Sequence, residues 1–168
     1  MRNPIVGVVL LVAALGAAGA ALADGRIALL IGNARYADPA FDLRNPAEDA
    51  AALAAALGPL GFETEVVTDA GRAAAEAALG DFAARAAGAE IALFFFAGHG
   101  VQIAGDNRLL TAGLDELSRE EIDRESLSLD EVRAALATAQ PGLGIIVLDA
   151  CRDNPLSERG IAAPRPGS

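Results

Sequence analysis

The sequence predicts an α/β domain with a mainly parallel sheet. Short apolar runs bounded by turn residues read as buried strands, and segments with helix start signals lie between them. The order is strand, helix, strand, helix, strand, helix, strand. Helical crossovers of this length join parallel neighbours, and right-handed connections are expected. With 168 residues the chain holds one domain and one core.

Each element has its own signal. Arg26–Gly32, RIALLIG, is apolar without alternation, as a strand buried on both faces must be. A loop over Asn33–Arg44 follows, with Tyr36 and Pro39. Asn45-Pro46-Ala47-Glu48 then opens a helix: Asn45 as cap, Pro46 in the first turn and Glu48 completing a capping box. This helix runs over Pro46–Leu57, with Leu53 and Leu57 inward, and stops at Gly58-Pro59. Gly61–Thr68 reads as a second strand through Phe62, Val66 and Val67. Arg72–Ala87 is an Ala-rich helix with Leu79 and Phe82 on one face, weakened by Gly80. Ile91–Phe96 is the third strand, with Asn107–Thr111 a short extension. Asp115–Leu127 reads as an exposed acidic loop with a helical turn. Ser128 and Glu131 form a second capping box, opening a helix through Ala139 with Val132, Ala135 and Leu136 inward. Pro141-Gly142 ends it, and Leu143–Leu148 is the fourth core strand. The Pro/Gly-rich Arg159–Ser168 forms a tail.

Composition narrows the function. Net charge is −10 and all 13 basic residues are Arg. Such an acidic chain is ill suited to nucleic acid or anionic membranes. A single cysteine excludes an internal disulfide and any multi-cysteine metal site. At the N-terminus, Arg2 precedes the uncharged apolar run Ile5–Leu22, and Ala21-Leu22-Ala23 is an A-x-A site. That pattern is a secretory signal peptide over residues 1–23, which implies a secreted or periplasmic product without stable membrane insertion. The rival is an uncleaved anchor.

His99 is the only histidine and Cys151 the only cysteine. Each directly follows an apolar strand, where sites in open α/β sheets lie; Asn33 and Asp149 share that position. A thiol attacks a carbonyl as thiolate, and a neighbouring imidazole can take its proton and later protonate the leaving amine. Gly98 and Gly100 let the backbone approach a substrate closely, and the N–H groups of Gly100 and Cys151 are candidates for an oxyanion hole. The plainer alternatives are a structural histidine and a small buried cysteine. A nucleotide-binding reading has only Gly32-Asn33 after the first strand, and no G-x-G-x-x-G follows.

The stretches Ile91–Gly100, IALFFFAGHG, and Leu148–Pro155, LDACRDNP, resemble the His and Cys motifs of caspase-like peptidases. His99 precedes Cys151 by 52 residues, close to the roughly 50 of caspases. RIALLIGNARY resembles the family's first strand, and LRNPAEDA with the later LGF its first helix. The similarity covers Arg26 to Pro155. The nearest branch is the bacterial metacaspase-like proteins with a secretory signal, which often read AGHGVQ (here Ala97–Gln102) and DACRDNP (Asp149–Pro155). The resemblance implies a three-layer caspase-hemoglobinase fold over residues 24–158. It further implies a cysteine endopeptidase with His99 as base and Cys151 as nucleophile. Caspases have Gln two positions before the cysteine; this chain has Asp149. Metacaspases hold substrate Arg or Lys with acidic residues, and Asp149 and Asp49 match them, so the expected substrate is a protein or peptide cleaved after a basic residue. The bland readings are a strand-end carboxylate for Asp149 and a dipole-favoured helix acid for Asp49. No cofactor is implied. Calcium often activates metacaspases, but the acidic Leu114–Glu125 matches no defined site and reads as a solvated face. The family domain continues past the cysteine strand, so a sheet truncated there is expected. The alternative function is an inactive binding or scaffold module of the cell envelope.

Overall fold

An apolar run without alternation has to bury both faces, and β1 (Ala23–Gly32) does so: Ile27–Gly32 is buried throughout. The computed structural model describes residues 23–103 and 105–150. Cys151, the leader up to Leu22 and the 159–168 tail lie outside the described residues. β1 is flanked by β2 (Phe62–Thr68) and β3 (Ala89–Ala97), and β7 (Leu143–Asp149) completes a four-stranded parallel sheet in the order β2-β1-β3-β7. The alternating order read from the sequence holds, and the strands expected to carry His99 and Cys151 are neighbours. Gly32 pairs with Thr68 and with Ala97, and Ala97 with Asp149. All four carboxyl ends therefore stand level along one rim.

Helices cover both faces, giving three layers. On one face α1 (Pro46–Leu57) packs Ala50 and Leu57 onto Ala28, Leu30, Leu93 and Phe95. On the other, α2 (Arg72–Arg85) and α4 (Leu129–Ala139) pack Leu79, Phe82 and Val132 onto Leu29, Ile31, Phe94 and Phe96. Successive strand residues thus feed opposite cores, as the two-residue pleat requires. Burial of Phe82, Phe94 and Phe96 supplies the bulk that the many alanines lack. A Cβ on Gly32 would collide with the Pro46 carbonyl. Glycine here is what lets α1 begin directly against the end of β1.

The structure corrects three expectations. Asn45 makes no side-chain cap: its backbone is already helical (φ −106°, ψ −22°), so Pro46 rather than a capping box sets the start of α1. The capping box at α4 does form, with Glu131 N–H on Ser128 Oγ at 3.1 Å and Ser128 N–H on Glu131 Oε2 at 2.7 Å. The supposed extension after β3 is a second, antiparallel sheet of β4 (Gly100–Ile103), β5 (Asp106–Leu110) and β6 (Ser126–Ser128). Nor is the acidic stretch a solvated face throughout: it contains α3 (Arg119–Arg124), and Leu114, Ile122 and even Glu121 are buried. Leu114 and Ile122 join Tyr36, Val101, Ile103 and Leu110 in a third apolar cluster. Charged residues in α3 are too dense for periodicity to reveal its one apolar side chain, Ile122, which faces inward.

Candidate active site

Two residues past β3 the backbone delivers His99 onto the rim. The turn is made by Gly98 (φ +155°), where a Cβ would lie 2.9 Å from the Phe96 ring and 3.0 Å from Tyr36 Oη. Any side chain there would push the rim away from the loop that leads from β1 into α1. Gly98 N–H also reaches the Asp149 carbonyl at 3.3 Å, tying the ends of β3 and β7 together.

His99 is half-buried and held at three points. Its backbone N–H donates to Tyr36 Oη at 3.0 Å, its carbonyl accepts from Leu110 N–H at 2.9 Å, and its Nε2 lies 2.8 Å from the Phe41 carbonyl. A carbonyl can only accept, so the proton sits on Nε2 and Nδ1 is left as the basic nitrogen. The Tyr36 ring lies against the imidazole at 5.1 Å, tilted by 53°, and the Phe41 ring meets it edge-on at 6.3 Å. Burial pushes the Tyr36 hydroxyl up to about 12, against a small opposing effect of the His99 N–H, so Tyr36 stays neutral across the working range. The Arg35 guanidinium, followed by the Tyr36 N–H, holds the Asp42 carboxyl below the usual carboxylate range.

A cleft of about 300 Å³ opens beside the imidazole. His99, Asp49 and Asp149 all line it, together with Leu43, Arg44, Pro46 and Gly98. Three of the residues singled out in the sequence are thus brought together from α1, β7 and the turn after β3. Both carboxylates are exposed to the cleft. Gly100 lines a separate niche of about 50 Å³ with Leu148, Ala150 and Arg108. The bond from Leu110 N–H to the His99 carbonyl makes Gly100 and Leu109 a non-hydrogen-bonded pair, so the Gly100 N–H points out of the ladder. Asn33, also on the rim, is fully buried and spent on structure: it accepts from Ala70 N–H at 2.9 Å and donates to the Leu110 carbonyl at 3.2 Å. Among the described residues, no group of three or more His, Cys, Asp or Glu side chains could hold a metal ion.

Sequence reasoning missed Tyr36, Phe41 and Asp42. The one available signal was that Tyr36 is the only tyrosine in the chain. Phe41 acts through its carbonyl, which no side-chain pattern can announce.

The described residues thus form a three-layer α/β domain with an imidazole and two carboxylates around one cleft at the carboxyl rim of its parallel sheet. The match is specific: the model of the caspase domain covers residues 25–165, and the chain belongs to that family. No curated protein matches the sequence. Among solved structures, it is similar to the protein GSU0716 from Geobacter sulfurreducens, at 22% identity and a TM-score of 0.58 over 82% of this chain. That likeness bears on the fold alone. The chain spans about half of that protein, 54% of its length.

Proposed function

We propose that this domain is a cysteine-type endopeptidase cleaving after Arg or Lys, with Cys151 as nucleophile and His99 as base. The observation that carries the reading is the one cleft that joins a half-buried imidazole, whose Nδ1 has no hydrogen-bond partner among the described residues, to Asp49 and Asp149. Membership of the caspase-domain family supports the class of chemistry. Cys151 follows Asp149 by the same two residues by which His99 follows Ala97, and Ala97 and Asp149 are register partners.

In this reading Nδ1 of His99 takes the thiol proton and the thiolate attacks the scissile carbonyl. The oxyanion is met by the N–H groups of Gly100 and Cys151, and the former is not consumed by β5. The imidazolium then protonates the leaving amine, and water, deprotonated by His99, hydrolyses the acyl-enzyme. Asp49 and Asp149 pair with the substrate guanidinium or ammonium; a carboxylate and Arg make charge-assisted, often bidentate hydrogen bonds. No cofactor takes part in these steps. The leader directs the protein out of the cytoplasm.

The test is a fluorogenic peptide ending in Arg at the cleaved bond, assayed on the mature protein beside Cys151→Ala. Turnover by the former and loss of at least about 1000-fold in the latter are expected. Equal rates would sink the assignment, and preference for an Asp peptide would overturn the roles of Asp49 and Asp149.

A further inference from the structure

Surface loops ordinarily leave much of their backbone to water. The segment from Asn33 to Leu43 does not: apart from Pro39, which has none, every backbone N–H in it has a protein acceptor. Asn33 donates to the Ala97 carbonyl, Ala34 and Arg35 to one oxygen of Asp69, at 2.8 and 2.9 Å, and Tyr36 to Asp42 Oδ1 at 3.0 Å. Ala37 and Asp38 reach the carbonyls of Ala112 and Leu114, and Ala40 the Asp38 carboxylate. Phe41, Asp42 and Leu43 close the segment on the carbonyls of Asp38, Pro39 and Ala34. A backbone so completely paired is fixed, and it presents two atoms to one residue: Tyr36 Oη to the His99 N–H and the Phe41 carbonyl to Nε2.

Asp42 joins the two contacts. It follows Phe41 directly in the chain, and its carboxylate holds the Tyr36 N–H by one oxygen and the Arg35 guanidinium by the other, at 2.7 Å. We infer that Asn33–Leu43 is a bracket for the imidazole, in which Tyr36 and Asp42 are positioning residues that set the tautomer and the ring orientation of His99. The identity of the protonated nitrogen is decided by what the other nitrogen bonds, so loosening the carbonyl of Phe41 frees Nε2 to act as the acceptor and takes Nδ1 out of service. The inference deepens the peptidase reading, and only its kinetic consequences rest on that reading.

His99 is the only histidine, so a 15N-histidine label reports one imidazole without ambiguity. Long-range 1H–15N spectra of the full chain are expected to show a neutral ring protonated on Nε2. In Tyr36→Phe and Asp42→Asn the signal is expected to move towards a mixture of tautomers. The kcat on an Arg peptide should fall by about 10-fold or more, with KM within about twofold, since small misplacement of a reacting group acts on the chemical step. Glu131→Gln, remote from the loop, should leave the imidazole spectrum unchanged and so separates positioning from general loosening. A wild-type ring protonated on Nδ1, or an unaltered spectrum in Tyr36→Phe, overturns the bracket; the latter variant removes one hydroxyl and decides the matter even if Asp42→Asn does not fold. An inactive wild type whose tautomer nonetheless responds to the variants keeps the bracket and removes the peptidase reading. An active one that ignores them does the reverse.

Discussion

The two halves of the cleft rest on unequal supports. His99 leaves β3, which lies between β1 and β7 and is buried continuously from Ala92 to Ala97. Asp149 ends β7, whose only partner among the described residues is β3, and which exposes Leu143 by 52% and Val147 by 40%. His99 is therefore mounted on a central, continuously buried strand and braced by a closed loop. The carboxylate across the cleft from it comes from a strand that is paired on one side only among the described residues. Local stability within a fold ranges from near zero to the global value according to such burial. The contrast suits the proposed chemistry: proton transfer demands fixed geometry, whereas a carboxylate meeting a long basic side chain would tolerate adjustment.

The largest effect that would sharpen this contrast is expected from Phe94→Ala. Phe94 is fully buried on β3 between Leu29 and Ile146, and removal of a core phenylalanine costs about 3–5 kcal/mol through lost burial and the cavity left. Urea unfolding measures it; a cost below about 1 kcal/mol would deny β3 its central place. Next comes Asn33→Ala. The substitution strands a buried N–H of Ala70 and the carbonyl of Leu110, each worth about 1–3 kcal/mol when left unpaired. The two sheets are joined there, so the loss should also loosen β5 beneath His99, seen as faster amide exchange at Leu110.

These two residues show what was and was not legible. Phe94 lies in an apolar run that could only be a buried strand, and the level rim follows from four such runs in alternation with helices. His99 stood out as the only histidine, just past a strand, while Asp49 and Asp149 were picked out by resemblance to metacaspase motifs; the structure brings all three to one cleft. Asn33 was seen at the rim but not as a strut, since its partners are backbone atoms 37 and 77 residues away. The second sheet was hidden because β4, β5 and β6 are 4, 5 and 3 residues long, too short to show a period. The bracket was hidden because its contacts run through a carbonyl, a hydroxyl and turn carboxylates rather than through a pattern of side chains.

A smaller, pH-dependent effect is expected at the α2–α4 seam, remote from both halves. Burial raises the Glu131 carboxyl, but the Arg72 guanidinium at 3.1 Å and the Ser128 N–H outweigh it, and the group ends below its ordinary value. A depressed folded value means that Glu131 contributes stability above the ordinary carboxylate range and loses it as pH falls through the lowered value. Glu131→Gln should therefore lower the urea midpoint at pH 7 and approach the wild type near pH 3; a gap that widens on acidification would contradict the sign.

The smallest effect is expected on β7 itself. Val147 pairs with Phe95 in register but turns to the face that α1 covers only in part, and it stays 40% exposed. Val147→Thr keeps the β-branched shape and replaces a methyl by a hydroxyl that solvent can reach, so the expected change is within about 0.5 kcal/mol. The same swap at a buried position carries the cost of burying an unpaired hydroxyl, about 1–3 kcal/mol. A loss of that size at Val147 would mean that something covers β7 in solution, and the inequality between the two halves of the cleft would then vanish. If the change is small, Asp149 stands on an open edge, and the His99 half alone is preorganised.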